Sequence, residues 1–385
     1  MNKEEMKSKN QQKVEEQKSK KSKCLEIAYL VRVEKANLNA SGTEGNITLL
    51  KKVRDIDGNE YVYISGVAVK YWIKEMLKEL GEELKVKCSP ILSKGEDNPE
   101  SKEKIKEDQI TSTGNPINYI DDDLFGYFLP RAGRKRIAPV KTNGLISLFP
   151  YTGDINLGVR YDPKGKDHSL WNLEIVNTIF RGNWLIELDR IYEFNEEELN
   201  NLKEDVKEDY KKKSEPQKKE EKEKRIKALL TCFFNLFGGA KQSSFLTSTE
   251  PRVVCLVFLK RKKLAIFDRL RVNSNFELEK EPLLEGLKLH ADDINEVYIG
   301  IDTKLIKTDL KKLENEIKSV LKGEEKEKLK EQKNSQNNTR ISNNKDNSKN
   351  EEEEKVIVVN DLYEIKKMIL SDSFKFYKEG KSQTN

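Results

Sequence analysis

The chain has 385 residues, 36% hydrophobic and 36% charged, with a formal net charge of +5 and a mean hydropathy of −0.78. Much of the polarity sits in residues 1–23, 196–227 and 322–355, which excludes two large cores and leaves one of ordinary density with a large insertion. No apolar run approaches the roughly 20 residues that span a bilayer, the polar stretch Met1 to Lys23 cannot be a signal peptide, and Cys24, Cys88, Cys232 and Cys255 form no CxxC pair, so a reducing cytoplasm is expected and a membrane partner is not.

In chain order, Cys24 to Lys35 places Leu25, Ile27, Tyr29, Val31 and Val33 on one face, the period of a half-buried strand. A loop rich in Asn, Gly and Ser follows from Ala36 to Asn46. A strand-like run, Tyr61 to Ile64, leads to Ser65, a helix N-cap. Val69, Trp72, Ile73, Met76, Leu77 and Leu80 then recur at helical spacing until Gly81. Residues 85–120 are a polar excursion, with Lys94 to Ile110 nearly devoid of apolar residues, as in a surface insertion or mobile loop. Asp121 to Phe128 reads as a short helix whose opening carboxylates suit the helix dipole, with Mg²⁺ ligation as the weaker reading. The basic loop Arg131-Ala132-Gly133-Arg134-Lys135-Arg136 favours phosphate contact over a solubilising turn.

Residues 143–162 and 184–194 are strand-rich, and 196–227 form a charged helix or linker. Ile226 to Phe237 is an apolar helix ending at Gly238-Gly239, followed by buried-type strands at Arg252–Leu259 and Asn295–Ile301. The Lys/Glu/Asn/Ser tract at 324–355 reads as disordered. Strand–helix units with long excursions between them suit an α+β, ferredoxin-like core carrying accessory lobes.

The chemistry of catalysis is missing from this pattern. The two histidines, His168 and His290, have no metal-ligand spacing, there is no GxSxG, and Gly238-Gly239-Ala240-Lys241 lacks phosphate-loop spacing. No cofactor or metal is expected, and binding is the default. Ser65 and the first N–H groups of its helix offer a phosphate site. Lys70 and Lys74, one turn apart, can face one nucleic-acid backbone, or else form a solvated face.

Four segments in order carry a family resemblance: Asn37-Leu38-Asn39; the helix start Ser65-Gly66-Val67-Ala68-Val69-Lys70 with Lys74; Asp123-Leu124-Phe125-Gly126-Tyr127-Phe128; and Gly238-Gly239-Ala240-Lys241-Gln242-Ser243-Ser244-Phe245. Together they resemble the repeated backbone subunit of CRISPR Cascade complexes, the DevR-type family of the RAMP superfamily, in a type I-B or related type I system.

The resemblance implies an RRM-like palm (24–84 and 143–323), a fingers lobe (85–142), a thumb within 155–184 and the charged helical insert 196–227. These are flanked by the tail 1–23, the tract 324–355 and the C-terminal segment 356–385. It implies that Asn37 and Asn39 line an RNA groove, that Ser65, Lys70 and Lys74 meet guide phosphates, and that Lys241 and Gln242 approach the same backbone. Trp171 would be a stacking aromatic on the thumb, with a core tryptophan as the equal alternative. The implied partners are guide RNA, target DNA through the guide, further copies of the chain and other Cascade subunits. Val67 replaces a common Gln, and Glu44 is the lone acid of the 36–46 loop, where RNA-cleaving relatives carry Asp. The competing readings are an RNA-processing endonuclease of the same superfamily and a protein-binding scaffold.

Overall fold

The computed structural model describes residues 22–99, 104–105, 111–160, 165, 169–200, 202–322 and 355–377. Most of the expected tail, most of the low-complexity tract and part of the 85–120 excursion lie outside the described residues. Strand β1 (Cys24–Ala36) precedes a hairpin of β2 (Ala40–Glu44) and β3 (Ile47–Leu50), then β4 (Lys52–Arg54) and β5 (Glu60–Ile64). Helices α1 (Gly66–Glu79) and α2 (Gly81–Leu84) come before the insertion, which closes at α3 (Ile120–Phe125). A small hairpin, β6 (Tyr127–Leu129) and β7 (Arg134–Arg136), leads to β8 (Val140–Ser147), β9 (Asp154–Arg160) and β10 (Ser169–Glu187). Helices α4 (Glu196–Asn200), α5 (Glu204–Lys212) and α6 (Glu215–Phe234) precede β11 (Pro251–Leu259). The rest is β12 (Arg271–Val272), β13 (Leu278–Glu279), α7 (Lys280–Leu289), β14 (Ile294–Ile301), α8 (Leu310–Lys322), β15 (Val356–Asp361) and α9 (Leu362–Leu370).

The main sheet runs β15-β14-β11-β1-β10-β8-β5-β4. Its central four strands, β11-β1-β10-β8, are antiparallel throughout, while β14 and β15 are parallel. The protein is therefore α+β with a mixed sheet. Helix α1 lies on the connection from β1 to β8, and α6 on that from β10 to β11. Both bury their apolar stripes on the same face, against Leu25, Ile27, Tyr29, Val31 and Val33 of β1.

The half-buried reading of β1 needs correcting. Cys24, Ala28 and Leu30 on its other face join a second core with Leu283 and Leu287 of α7 and Leu313 and Ile317 of α8. Between them Glu26 is fully buried, and its carboxylate accepts from the backbone N–H groups of Ala265 at 2.6 Å and Ile266 at 3.2 Å. Small residues and this acid hide the second apolar face from a pattern search.

Other boundaries also move. The 36–46 loop contains β2, and the strand expected at 184–194 starts at Ser169 and ends at Glu187. The charged and apolar segments around residue 226 are one helix, α6, opened by a capping box between Ser214 and Gln217. The first half of β10 runs beyond β1 and pairs with β9 and, in parallel, with β3 at Asn172 and Leu173. It forms an arm on which Ile155, Leu157, Val159 and Leu170 are all exposed. All four cysteines are free.

The acids of α3 stand in the first turn of the helix, as expected. All three are buried, and each reaches a different segment. Asp121 accepts from Ser89 N at 2.7 Å. Asp122 accepts from Asn115 N at 3.0 Å and the Thr113 hydroxyl at 3.2 Å. Asp123 lies between Arg136 at 2.5 Å and Arg225 at 2.7 Å and takes Tyr192 N at 3.0 Å. Arg225 also donates to Pro116 O and Ile117 O, and Arg136 to Glu198 at 2.8 Å. Among the described residues no group of His, Cys, Asp or Glu could hold a metal ion.

Removing one member of a buried ion network strands the others, at about 3–5 kcal/mol. Arg225→Met should lower stability by about that amount in chemical denaturation; a loss below about 1 kcal/mol would mean that Asp123 is not held this way.

Two buried carboxyls set a pH dependence. Burial, opposed by the amides of Ala265 and Ile266, pushes Glu26 up to about 7. Burial and neighbouring Asp121 push Asp122 up to about 6. A raised carboxyl binds its proton more tightly folded than unfolded, so each group costs stability as pH climbs from its unfolded value through its folded one. Glu26→Gln should therefore gain on the wild type in melting temperature between pH 4.5 and 8. A difference that stays constant with pH would contradict the burial argument.

Candidate nucleic-acid interface

Three of the four segments singled out by sequence meet in space. The loop after β1 is fixed to the start of α1, because Asn39 Oδ1 accepts from Ser65 N at 3.2 Å. Ser65 caps the helix in turn, its hydroxyl accepting from Ala68 N at 3.3 Å. The segment after α6 joins them through Ala240 N, which donates to Leu38 O at 3.0 Å. Two glycines permit this approach. A Cβ on Gly238 would lie 2.2 Å from the Trp72 ring, and one on Gly239, whose φ is +108°, 2.2 Å from the Leu38 side chain.

Asn37 and Gln242 differ from expectation. Asn37 is fully buried, and its amide donates to Glu174 O at 2.9 Å. It anchors the arm to β1 and does not line a groove. Glu174 itself accepts from Leu50 N at 2.7 Å and Lys52 at 2.9 Å. Gln242 donates to Gly238 O and accepts from Thr247 N, closing its own loop. Ala240 and Lys241 face solvent.

The lysines of α1 are only partly solvated. Lys70 and Lys74 lie over the Phe125 ring at 6.0 and 5.8 Å, which brings the fourth segment beneath them. Lys74 pairs with Asp121 at 3.4 Å, so its charge is already shared. Lys70 is held below its ordinary value by desolvation and by the nearby charges of Lys74 and Lys141. A lysine depressed by other lysines gains on meeting an anion. Lys141, missed by sequence reasoning, is an isolated cation in a strand, and alternation along VKTNG is the local signal that turns it outward. Val67 and Tyr71 are exposed on the same helix.

The basic loop at 131–136 is the tip and return strand of the β6–β7 hairpin. Arg131 and Lys135 face solvent, whereas Arg134 donates to Gly114 O at 2.5 Å and Arg136 is buried on Asp123. Arg136 is thus a core residue, contrary to expectation. Trp171 sits opposite Gly158 on the arm, its ring so close that a Cβ on that glycine would lie 2.1 Å from it. It is neither a core tryptophan nor a freely projecting ring. No described helix is long and apolar enough to cross a membrane.

Two solved chains from CRISPR RNA-guided surveillance complexes, one of them pre-nicking, are similar to this chain. The pre-nicking one is 13% identical with a TM-score of 0.49, covering 74% of this chain and 94% of its own. The other is 12% identical with a TM-score of 0.44, covering 74% and 91%. No curated protein sequence matches the chain significantly. The model of the family described as CRISPR-associated negative auto-regulator DevR/Csa2 matches residues 27–266, a span that holds all four converging segments, and the chain belongs to that family.

Proposed function

We propose that the chain is a non-catalytic, guide-RNA-binding backbone subunit of a type I CRISPR Cascade complex, holding the guide extended for pairing with target DNA. In this reading the four central strands with α1 and α6 are a ferredoxin-like, RRM-like palm. The 85–142 insertion is the fingers lobe, and the β9–β10 arm is the thumb. The observation that carries the reading is the meeting of the 37–39 loop, the Ser65 helix start and the 238–241 segment beside Lys70. A helix N-terminus next to cations in electrostatic excess suits a phosphate backbone. Family membership supports the same reading, and the exposed apolar face of the arm suits contact with neighbouring copies.

Catalysis has no assigned residue in this proposal. Incubating the full chain with guide precursor, with and without Mg²⁺, should leave the RNA intact; cleavage abolished by a single substitution would favour the endonuclease reading.

Lys70→Ala should weaken binding of all RNA sequences alike and flatten the salt dependence by about 0.7, while melting close to wild type. Lys74→Ala should also lose stability, because it leaves the buried Asp121 carboxylate without its cation. Salt titrations of RNA affinity with parallel melts check both. An unchanged slope for Lys70→Ala would remove the phosphate role.

A further inference from the structure

Four palm strands share one edge. Cys24, at the start of β1, lies opposite Glu187 at the end of β10 and Leu259 at the end of β11. Val140, the start of β8, pairs with Ile186. Two nearly buried carboxylates sit along this edge, and five cations converge on them. Glu187, 3% exposed, contacts Lys141, Arg190 at 2.8 Å and Lys262 at 3.0 Å. Asp293, 5% exposed, takes Arg261 and Lys263, each at 2.6 Å.

The arrangement points charge outward. The side chains of Arg261, Lys262 and Lys263 are 70%, 48% and 40% exposed, over carboxylates that solvent barely reaches. Burial alone would raise Glu187, yet its three cations hold it down to about 2, so the anchor stays ionised at neutral pH. Five cations on two carboxylates leave an excess of three positive charges. Nearby, Lys23 and Asp189 meet through their backbones and Lys260 donates to Asp292 O, which adds two charges of each sign.

The excess forms two neighbouring clusters, one on Glu187 at the end of β10 and one on Asp293 beside β14, joined by the 261–263 turn. One end reaches α1, whose first residue Gly66 packs so closely on β8 that a Cβ there would lie 2.7 Å from Thr142 O, next to Lys141. Two clusters of fixed cations side by side, continuing from a phosphate site, suit successive phosphates of a polyanion.

We propose that this edge, from Lys141 to the Lys260–Lys263 turn, is a track for the phosphate backbone of a nucleic-acid strand continuing past α1; it rests on the RNA-binding reading above. The cations are oriented by their buried anchors before the strand arrives, so little side-chain ordering remains to oppose binding.

The test uses the full chain and single-stranded RNA and DNA of about 5 and about 20 nucleotides, each titrated at several salt concentrations. The triple variant Arg261→Gln, Lys262→Gln, Lys263→Gln should bind the short strand as wild type does. It should lose most of the gain from length, and its salt slope on the long strand should fall by about 2, at about 0.7 per lost contact. A larger loss for RNA or for DNA tells which strand follows the track. Unchanged affinity and slope on the long strand overturn the track. If Lys70→Ala still weakens binding in that case, the RNA-binding reading survives alone; if neither variant has an effect, both fall. Should the triple variant melt early, Arg261→Gln alone carries the test, with an expected slope change of about 0.7.

Discussion

The desolvated carboxylate of Asp123 is the constraint on which much of the molecule depends. Its charge has no water to meet, so two arginines must meet it, and they come from β7 and α6. Those arginines collect carbonyls from 116–117, 190 and 193, which pins the insertion and the turn after β10 to the long helix. The neighbours of Asp123 inherit fixed directions. Asp121 faces Lys74, and Phe125 places its ring under both lysines of α1. A buried network thus sets where the partly solvated lysines of α1 stand.

Several elements were legible because their signals are local. The alternation of β1, the Ser65 cap, the apolar stripe of α1 and the β-branched runs of β11 and β14 each lie within a dozen residues. The network was not legible for the converse reason. Arg225 and Asp123 are 102 positions apart, and Arg225 sits in a stretch of Lys and Glu where one more cation carries no mark. Pattern reasoning split α6 where its composition changes, although the hydrogen bonds of a helix do not depend on which side chains face water. Helices α7 and α8 also went unread, since their apolar positions become a face only against the second core, and so did α9, whose Ile365 and Ile369 join the first core.

The site was legible as a set of segments and misread residue by residue. Asn37 and Asn39 are alike in type and two apart, yet one is buried on the arm and the other aligns a helix start. What separates them is the partner each finds, one 137 positions away and the other 26. Arg136 shows the same thing within one basic run, where strand alternation turns it inward while Lys135 faces out.

These internal engagements bear on what kind of recognition is left. Base edges are read by side-chain amides and guanidinium groups, while phosphates need only cations and N–H donors. The amides of Asn37, Asn39 and Gln242 are each used to hold the local fold. What remains outward is charge, in part on Lys70 and fully on Lys241, and apolar surface, on Val67 and Tyr71. Such a surface grips a backbone without asking which bases it carries. That is the property a guide-holding subunit requires, because sequence is then read by base pairing and not by the protein. A single-sequence reader would need the reverse, amides freed from the fold and aimed at bases. On this argument, the internal hydrogen bonds that draw Asn37 and Gln242 away from the expected groove strengthen the proposed role.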